Sequence, residues 1–263
     1  MVSTDSPTAP DDDASLSAIA RQLSGALIAL DFDGTLAPIV VDPEQSRPVP
    51  GVIDTLADLA RAGARIAVIT GRDALTAVRL GRLDRVGGIV VSGLHGAEQW
   101  RSGVLRTRDE PAGLTAVRAE LPGLLPSDVW LEDKRLSLVV HTRRAAEPER
   151  SLAELAGPVA ELAERNGLRS HPGKLVLEIR IPDLSKATAL GELLDDDAAA
   201  LYAGDDLGDL PAVAEVRAWA ARTGRPALTI AVGEVAELRA AADRAVASPA
   251  ALAALLVGLL SRA

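Results

Sequence analysis

Two carboxylates one residue apart, Asp31 and Asp33, close an apolar run and are followed by a glycine and a hydroxyl: Ala26-Leu27-Ile28-Ala29-Leu30-Asp31-Phe32-Asp33-Gly34-Thr35-Leu36. The run is continuously apolar rather than alternating, the pattern of a parallel strand buried on both faces. Its carboxyl end is where open α/β sheets bind ligands, and alternation along an extended chain turns Asp31 and Asp33 the same way. Two carboxylates side by side in a poorly solvated mouth repel unless a cation or a shared proton relieves them. A hard, oxygen-seeking ion such as Mg2+, which takes one or two carboxylates with waters and phosphate oxygens, suits that arrangement. Standing alone, the same residues would serve equally well as a turn or helix cap.

Three further pieces fall at expected strand or helix ends. Ala67-Val68-Ile69-Thr70-Gly71-Arg72 ends a strand in a hydroxyl able to bond a phosphoryl oxygen. Lys186 opens a helix shortly after Pro182, and Leu201-Tyr202-Ala203-Gly204-Asp205-Asp206-Leu207-Gly208-Asp209 is another strand ending in acids. Each has a plain structural alternative: a helix N-cap for Thr70, a solvated surface charge for Lys186, and dipole-stabilising acids at a helix start for Asp205, Asp206 and Asp209. Their joint occurrence in this order is what favours chemistry. Only three lysines occur, Lys134, Lys174 and Lys186, among 28 basic residues. A lysine is a compact point charge that arginine replaces poorly where geometry is tight, so lysines surviving inside motifs point to function.

The elements that must position these groups follow from periodicity. Strands are expected at 65–70 and 88–92 and helices at 50–62 and 74–80, which with the opening strand make a βαβαβ pattern and a parallel sheet. Pro48 and Pro50 mark the first of those helices. The pattern then changes, with strands expected at 130–141 and 174–181 and helices at 111–121 and 148–166. Crossovers resume with helices at 186–194 and 210–221, strands at 200–204 and 227–232, and a closing helix at 249–260. The expected fold class is therefore α/β: a doubly wound parallel-sheet (Rossmann-like) core, residues 16–100 and 183–263, with an inserted α/β cap domain at 101–182 and a mobile N-terminal tail at 1–15.

Composition narrows the partners. The chain has 263 residues, 48% of them hydrophobic, enough for a substantial core. A net charge of −9 disfavours nucleic acid or an anionic membrane as partner, and an anionic substrate would need a local basic patch. No cysteine is present, so thiolate nucleophiles, disulfides and Cys-based zinc sites are excluded. No signal-peptide pattern is visible at the start, and the expectation is a cytoplasmic protein, a monomer being slightly favoured.

Taken together, the four pieces resemble the haloacid dehalogenase-type phosphatases, over nearly the whole chain beyond the tail. Within that superfamily the chain most resembles the trehalose-6-phosphate phosphatase family. Carrying that resemblance are Asp31-Phe32-Asp33-Gly34-Thr35-Leu36-Ala37-Pro38, Thr70-Gly71-Arg72, Gly93-Leu94-His95-Gly96-Ala97-Glu98, Glu132-Asp133-Lys134, His141-Thr142-Arg143, Gly173-Lys174-Leu175-Val176-Leu177-Glu178, Lys186 and Gly204-Asp205-Asp206. The resemblance implies that Asp31 attacks phosphorus and becomes an aspartyl-phosphate. It implies that Asp33 protonates the leaving oxygen and then activates water, and that Thr70 and Lys186 hold phosphoryl oxygens. Mg2+ is implied between Asp31, the backbone carbonyl of Asp33, and Asp205, with Asp206 or Asp209 in or near its outer shell. The cap is implied to close over a phosphorylated disaccharide, with Arg72, His95, Glu132, Lys134, His141, Arg143, Lys174 and Glu178 as substrate-binding candidates. A solvated face of an antiparallel sheet is the plain alternative for the cap residues.

The chain departs from the family pattern in two places. Leu207-Gly208-Asp209-Leu210-Pro211 stands where Thr-Asp-Glu and an aromatic are usual, and Ala187 follows Lys186 where glycine is usual. Neither removes a group that the chemistry needs. Both leave open a related phosphatase acting on another phosphosugar or a phosphoglycerate conjugate. A catalytically idle phosphosugar-binding regulatory domain is the alternative of another class.

Overall fold

The computed structural model describes residues 12–134, 136–182 and 184–263. The chain divides into two compact units, one built from residues 1–106 and 185–263, the other from residues 107–184.

The first unit is built on an eight-stranded sheet. Its strands are β1 (Ala26–Leu30), β2 (Arg65–Ile69), β3 (Val90–Gly93), β4 (Glu98–Arg101), β5 (Val104–Thr107), and, after the second unit, β10 (Ala199–Gly204), β11 (Ala227–Val232) and β12 (Arg244–Val246). Their order is β12-β11-β10-β1-β2-β3-β4-β5. The run from β12 to β3 is parallel, while β4 returns antiparallel against β3. β1 therefore lies inside the sheet, and all five of its residues are buried. Successive β1 side chains part company. Ala26, Ile28 and Leu30 join the layer of α1 (Asp12–Arg21), α2 (Val52–Arg61), α3 (Ala74–Gly81) and α9 (Pro249–Leu260). Leu27 and Ala29 join the opposite layer of α6 (Lys186–Gly191), α7 (Leu210–Thr223) and α8 (Ala236–Ala241). Two covered faces are what make the run continuously apolar.

Two expected boundaries move. The tail was expected to reach residue 15, but α1 begins at Asp12, because Leu16, Ile19 and Ala20 fall on one helical stripe and pack, with Leu23 just beyond the helix, into the first layer. Residues 1–11 of that expectation lie outside the described residues. The inserted segment, expected at 101–182, corresponds to a unit of 107–184, because β4 and β5 extend the first sheet before the chain leaves it.

The second unit carries α4 (Ala112–Glu120), α5 (Pro148–Arg165) and a four-stranded antiparallel sheet of order β6-β7-β9-β8. The segment expected as one strand at 130–141 is a hairpin, β6 (Trp130–Asp133) and β7 (Ser137–His141), closed by Lys134 N–H donating to the Ser137 carbonyl. The segment expected at 174–181 is β9 (Val176–Arg180), and its partner β8 (Arg169–Gly173) was not expected. β8 contains Pro172, tolerated because the strand is at the sheet edge. Leu138, Val140, Leu177 and Ile179 pack against Leu114 and Val117 of α4 and Leu155, Val159 and Leu162 of α5. No helix among the described residues is long and apolar enough to cross a membrane.

Phe32, between the two carboxylates, has no exposed surface and sits in the first layer. A side chain added at Gly81 would press on its ring. Phe32→Ala is expected to lower the unfolding free energy by about 3–5 kcal/mol. Urea unfolding checks this, and a loss below about 1 kcal/mol would show that the ring does not anchor the loop.

Candidate active site

The first unit gathers its polar residues at the carboxyl ends of β1, β2 and β10. Asp31 extends β1 by one residue, its N–H donating to the Ala203 carbonyl at 2.9 Å. Its carboxylate is buried, with Oδ1 3.0 Å from Lys186 Nζ. Lys186 is the first residue of α6, whose N-cap is Ser185; the Ser185 hydroxyl accepts from Thr188 N–H at 3.1 Å. A helix N-terminus is an unfavourable place for a cation, and the ammonium group is held there by two carboxylates.

The second is Asp209. Its Oδ1 accepts from Lys186 Nζ at 2.6 Å and from the Tyr202 hydroxyl at 2.5 Å. Its Oδ2 accepts from the backbone N–H groups of Asp205 at 2.9 Å and Asp206 at 3.1 Å. A carboxylate has about four acceptor positions, so Asp209 is filled. Asp206 caps the following 3-10 turn, Leu207–Asp209, by accepting from Gly208 N–H at 2.8 Å. Asp209 and Asp206, both expected in or near a metal's outer shell, thus also shape the loop. Asp205 is left half-buried beside Asp31. The loops touch closely: a Cβ at Gly34, where φ is 76°, would collide with the Asp205 carboxylate, and one at Gly204 with Asp209. Glycine is required at both by proximity, and at Gly34 also by conformation.

Burial raises the Asp31 carboxyl well above its ordinary range, and the charges of Asp209 and Asp205 add to this against the pull of Lys186. Burial likewise pushes Asp205 up to about 6. Asp209 goes the other way: burial opposes its ionisation, but the Lys186 charge and its hydrogen bonds hold it low. Lys186 is itself held protonated, the Asp31 and Asp209 charges overcoming burial. One oxygen from each of Asp31, Asp205 and Asp209 lies within 4.8 Å of the others. Asp31 and Asp205 retain lone pairs and are disfavoured as anions where they stand. That all-oxygen donor set fits a hard divalent cation.

Thr70, at the end of β2, is buried; its hydroxyl accepts from Arg72 N–H at 3.2 Å and keeps its own proton for another acceptor. Asp33 lies apart from the acid cluster. It takes a two-pronged contact from Arg72, Nε to Oδ2 at 2.5 Å and Nη2 to Oδ1 at 2.7 Å, and a third from Ser46 Oγ to Oδ1 at 2.9 Å. Arg72, expected at the substrate, is thus paired with Asp33. His95 stands in a left-handed turn, φ 56°, its N–H donating to the Thr70 carbonyl at 3.1 Å and its ring beside Gly71. Glu98, a residue of the Gly93–Glu98 motif, is buried and caps α3 by accepting from Ala74 N–H at 2.9 Å.

In the second unit, Glu132, Val139 and Glu178 form one row across three strands, extended by His171 on β8. His141 Nε2 is 2.9 Å from Glu132 Oε2 and its ring stacks on Trp130 at 4.4 Å. Glu178 accepts from the Ser137 hydroxyl at 3.1 Å. Lys134 lies in the β6–β7 turn, whereas Arg143 follows β7 and Lys174 sits in the β8–β9 turn, at the sheet's other end. Glu132 and His141 are therefore brought into contact, Glu178 lies one strand further along the same row, and the three basic candidates lie at the sheet's margins.

Sequence reasoning missed Ser46, Tyr202, Trp130 and the role of Glu98. Tyr202, the chain's only tyrosine and two residues before Gly204, carried a signal in its rarity. Ser46 carried none, being 13 residues from the acid that it touches.

Comparison with known proteins places these features in a family. A family model described as trehalose-phosphatase matches residues 29–118 and 125–244. A trehalose-phosphate phosphatase of Mycobacterium avium (strain 104) is 34% identical over 228 residues, 79% of this chain and 56% of the relative. An uncharacterized glycosyl hydrolase of Mycobacterium tuberculosis (strain ATCC 25618 / H37Rv) is 36% identical over 230 residues, 80% of this chain and 17% of the relative. The chain spans about half the length of the trehalose-phosphate phosphatases that it matches. Among solved structures, trehalose-6-phosphate phosphatase of Aspergillus fumigatus superposes with a TM-score of 0.76 at 22% identity, covering 96% of this chain and 98% of that one. That likeness shows the fold.

Adding Mg2+ at a hundred times its dissociation constant is expected to stabilise the fold by about 2.7 kcal/mol, read as a rise in melting temperature. Asp205→Asn should remove that rise. In chelator the sign inverts. An acid raised in the folded state binds more protons there than when unfolded, so its contribution to stability declines as pH climbs from 3.8 to about 6. Asp205→Asn, lacking that titration, should gain on the parent across the same window. A parent and variant that both respond to Mg2+ would remove Asp205 from the cation site, and a constant difference in chelator would show that its carboxyl is not raised on folding.

Proposed function

The chain belongs to the trehalose-phosphatase family, and on that premise we propose that it hydrolyses trehalose 6-phosphate to trehalose and phosphate. The observation that carries the reading is the division between two neighbouring carboxylates: Asp31 buried against Lys186 at 3.0 Å, Asp33 held separately by Arg72 at 2.5 Å. In this reading the first serves as nucleophile beside a fixed cation and the second as proton carrier, and their separate partners support that division.

In this reading an Asp31 oxygen attacks phosphorus as the bond to the sugar oxygen breaks, leaving an aspartyl-phosphate. Asp33 gives its proton to the departing oxygen, then takes one from the water that releases phosphate from Asp31. Lys186 and the Thr70 hydroxyl hold phosphoryl oxygens, donors fixed before charge develops. Asp209 and Tyr202 touch no substrate; they fix Lys186. A divalent cation, magnesium in this reading, would be held by Asp31, Asp205 and the Asp33 carbonyl, and when bound would neutralise charge on nucleophile and phosphoryl group. The second unit would contribute sugar recognition through Glu132, His141 and Glu178, with Lys134, Arg143 and Lys174 as further contacts. A cytoplasmic, monomeric enzyme completes the proposal.

Phosphate release from a panel of phosphorylated sugars tests it. Trehalose 6-phosphate should rank first, and turnover should require Mg2+. Asp31→Asn should cut turnover at least about a thousandfold with an unchanged melting curve. If another phosphosugar is preferred, the substrate assignment fails while the chemistry stands; substantial turnover by Asp31→Asn removes the nucleophile.

Sugar recognition is tested apart from chemistry. Glu132→Gln and Glu178→Gln should each raise KM for the disaccharide phosphate about ten- to a hundredfold, the size of a lost hydrogen bond to a charged group. Neither should alter hydrolysis of a small aryl phosphate. Equal losses on both esters would make the pair structural.

A further inference from the structure

The loop from Pro38 to Arg47 is exposed, with Ile39 at 70% and Val41 fully open, except at one residue. Ser46 has no exposed surface at all. A short 3-10 turn, Pro43–Gln45, delivers it. Asp42 caps the turn by accepting from Glu44 N–H at 3.1 Å, and Ser46 N–H closes it onto the Pro43 carbonyl at 3.3 Å. Arg47 Nη1 donates to the Ser46 carbonyl at 2.7 Å. All of this directs one hydroxyl to Asp33 Oδ1 at 2.9 Å.

Arg72 approaches Asp33 from another chain segment and is held as firmly. Its N–H donates to Thr70 Oγ1 and its carbonyl accepts from Leu94 N–H at 2.8 Å, while its guanidinium lies 5.7 Å from the Phe32 ring centroid. The fork uses both Asp33 oxygens. Oδ1 thus accepts two donors, Ser46 Oγ and Arg72 Nη2, whereas Oδ2 accepts one, Arg72 Nε. Paired forks of this kind fix orientation as well as energy.

Resting on the phosphatase reading above, we infer that Ser46 and Arg72 are positioning residues that lock the orientation of Asp33 and leave Oδ2 as its proton-exchanging oxygen. The proton passes from Oδ2 to the ester oxygen as the phosphorus–oxygen bond breaks. Oδ2 takes a proton back from the water whose oxygen bonds to phosphorus and frees the Asp31 carboxylate. Arg72 then serves the acid/base residue, not the phosphate of the substrate.

Steady-state kinetics of Ser46→Ala, Ser46→Thr and Arg72→Lys, alone and with Asp33→Ala, tests the assignment. Ser46→Ala should lower kcat about tenfold, the loss of one hydrogen bond to a charged acceptor, with KM unchanged. Ser46→Thr, which keeps the hydroxyl, should recover most of it. In the Asp33→Ala background Ser46→Ala should have no further effect, because nothing remains to position. A loss that persists in that background, or that falls on KM, overturns the role of Ser46. Arg72→Lys raising KM with kcat intact would return Arg72 to the substrate. Urea midpoints of Ser46→Ala, Asp33→Ala and the double variant read the contact without turnover. Additive shifts overturn it, whereas a parent inactive on every ester overturns the phosphatase reading instead.

Discussion

Everything at the mouth of the first sheet depends on one buried cation. Among the described residues Lys186 is the only lysine or arginine in the fully buried class, and it opens a helix, where a positive charge is least welcome. Removing an ammonium group from water is costly unless its partners are close and well oriented. Asp209 and Asp31 supply that pairing at 2.6 and 3.0 Å. The two are unequal. Asp209 is fixed from four directions and stays an anion, so it carries the structural half of the pair. Asp31, disfavoured as an anion by burial and by its acidic neighbours, is the less securely ionised of the two.

The same logic separates Asp31 from Asp33. Two carboxylates in one poorly solvated place would titrate as a pair. Giving each its own cation, Lys186 for one and Arg72 for the other, lets neighbours in sequence hold different jobs. Phe32 enforces the separation by burying its ring in the helix layer between them.

Much of the first unit was legible because buried parallel strands advertise themselves. β1, β2, β10 and β11 are short apolar runs; the first three are punctuated by Asp, Thr-Gly and Gly-Asp, and the candidate site residues sit at those punctuation marks. Edge elements were harder. β8 reads Arg-Ser-His-Pro-Gly, a turn by composition and a strand only because β9 lends it hydrogen bonds on one side. The β6–β7 hairpin hides its turn among charged residues, without the Gly or Asn that flags reversal. At the site, identities such as Asp31, Thr70, Lys186 and Asp205 could be read from position, but partnerships could not. That Arg72 faces Asp33, that Ser46 is the lone buried residue of its loop, and that Asp209 is saturated by Tyr202 and two amides depend on where loops return in space.

The strand order has a consequence for how the molecule comes into being. β1 is hydrogen-bonded on one side to β2, close in sequence, and on the other to β10, some 170 residues later. During synthesis the second unit, made from one continuous stretch, can close on itself while β1 still presents a bare edge and an uncovered apolar face awaiting α6 and α7. Non-local pairing of this kind is slow and exposes sticky surface in the interim. The same return that completes the sheet brings Lys186 and Asp205 to Asp31, so the nascent chain assembles this charged cluster only as it acquires its protection from aggregation.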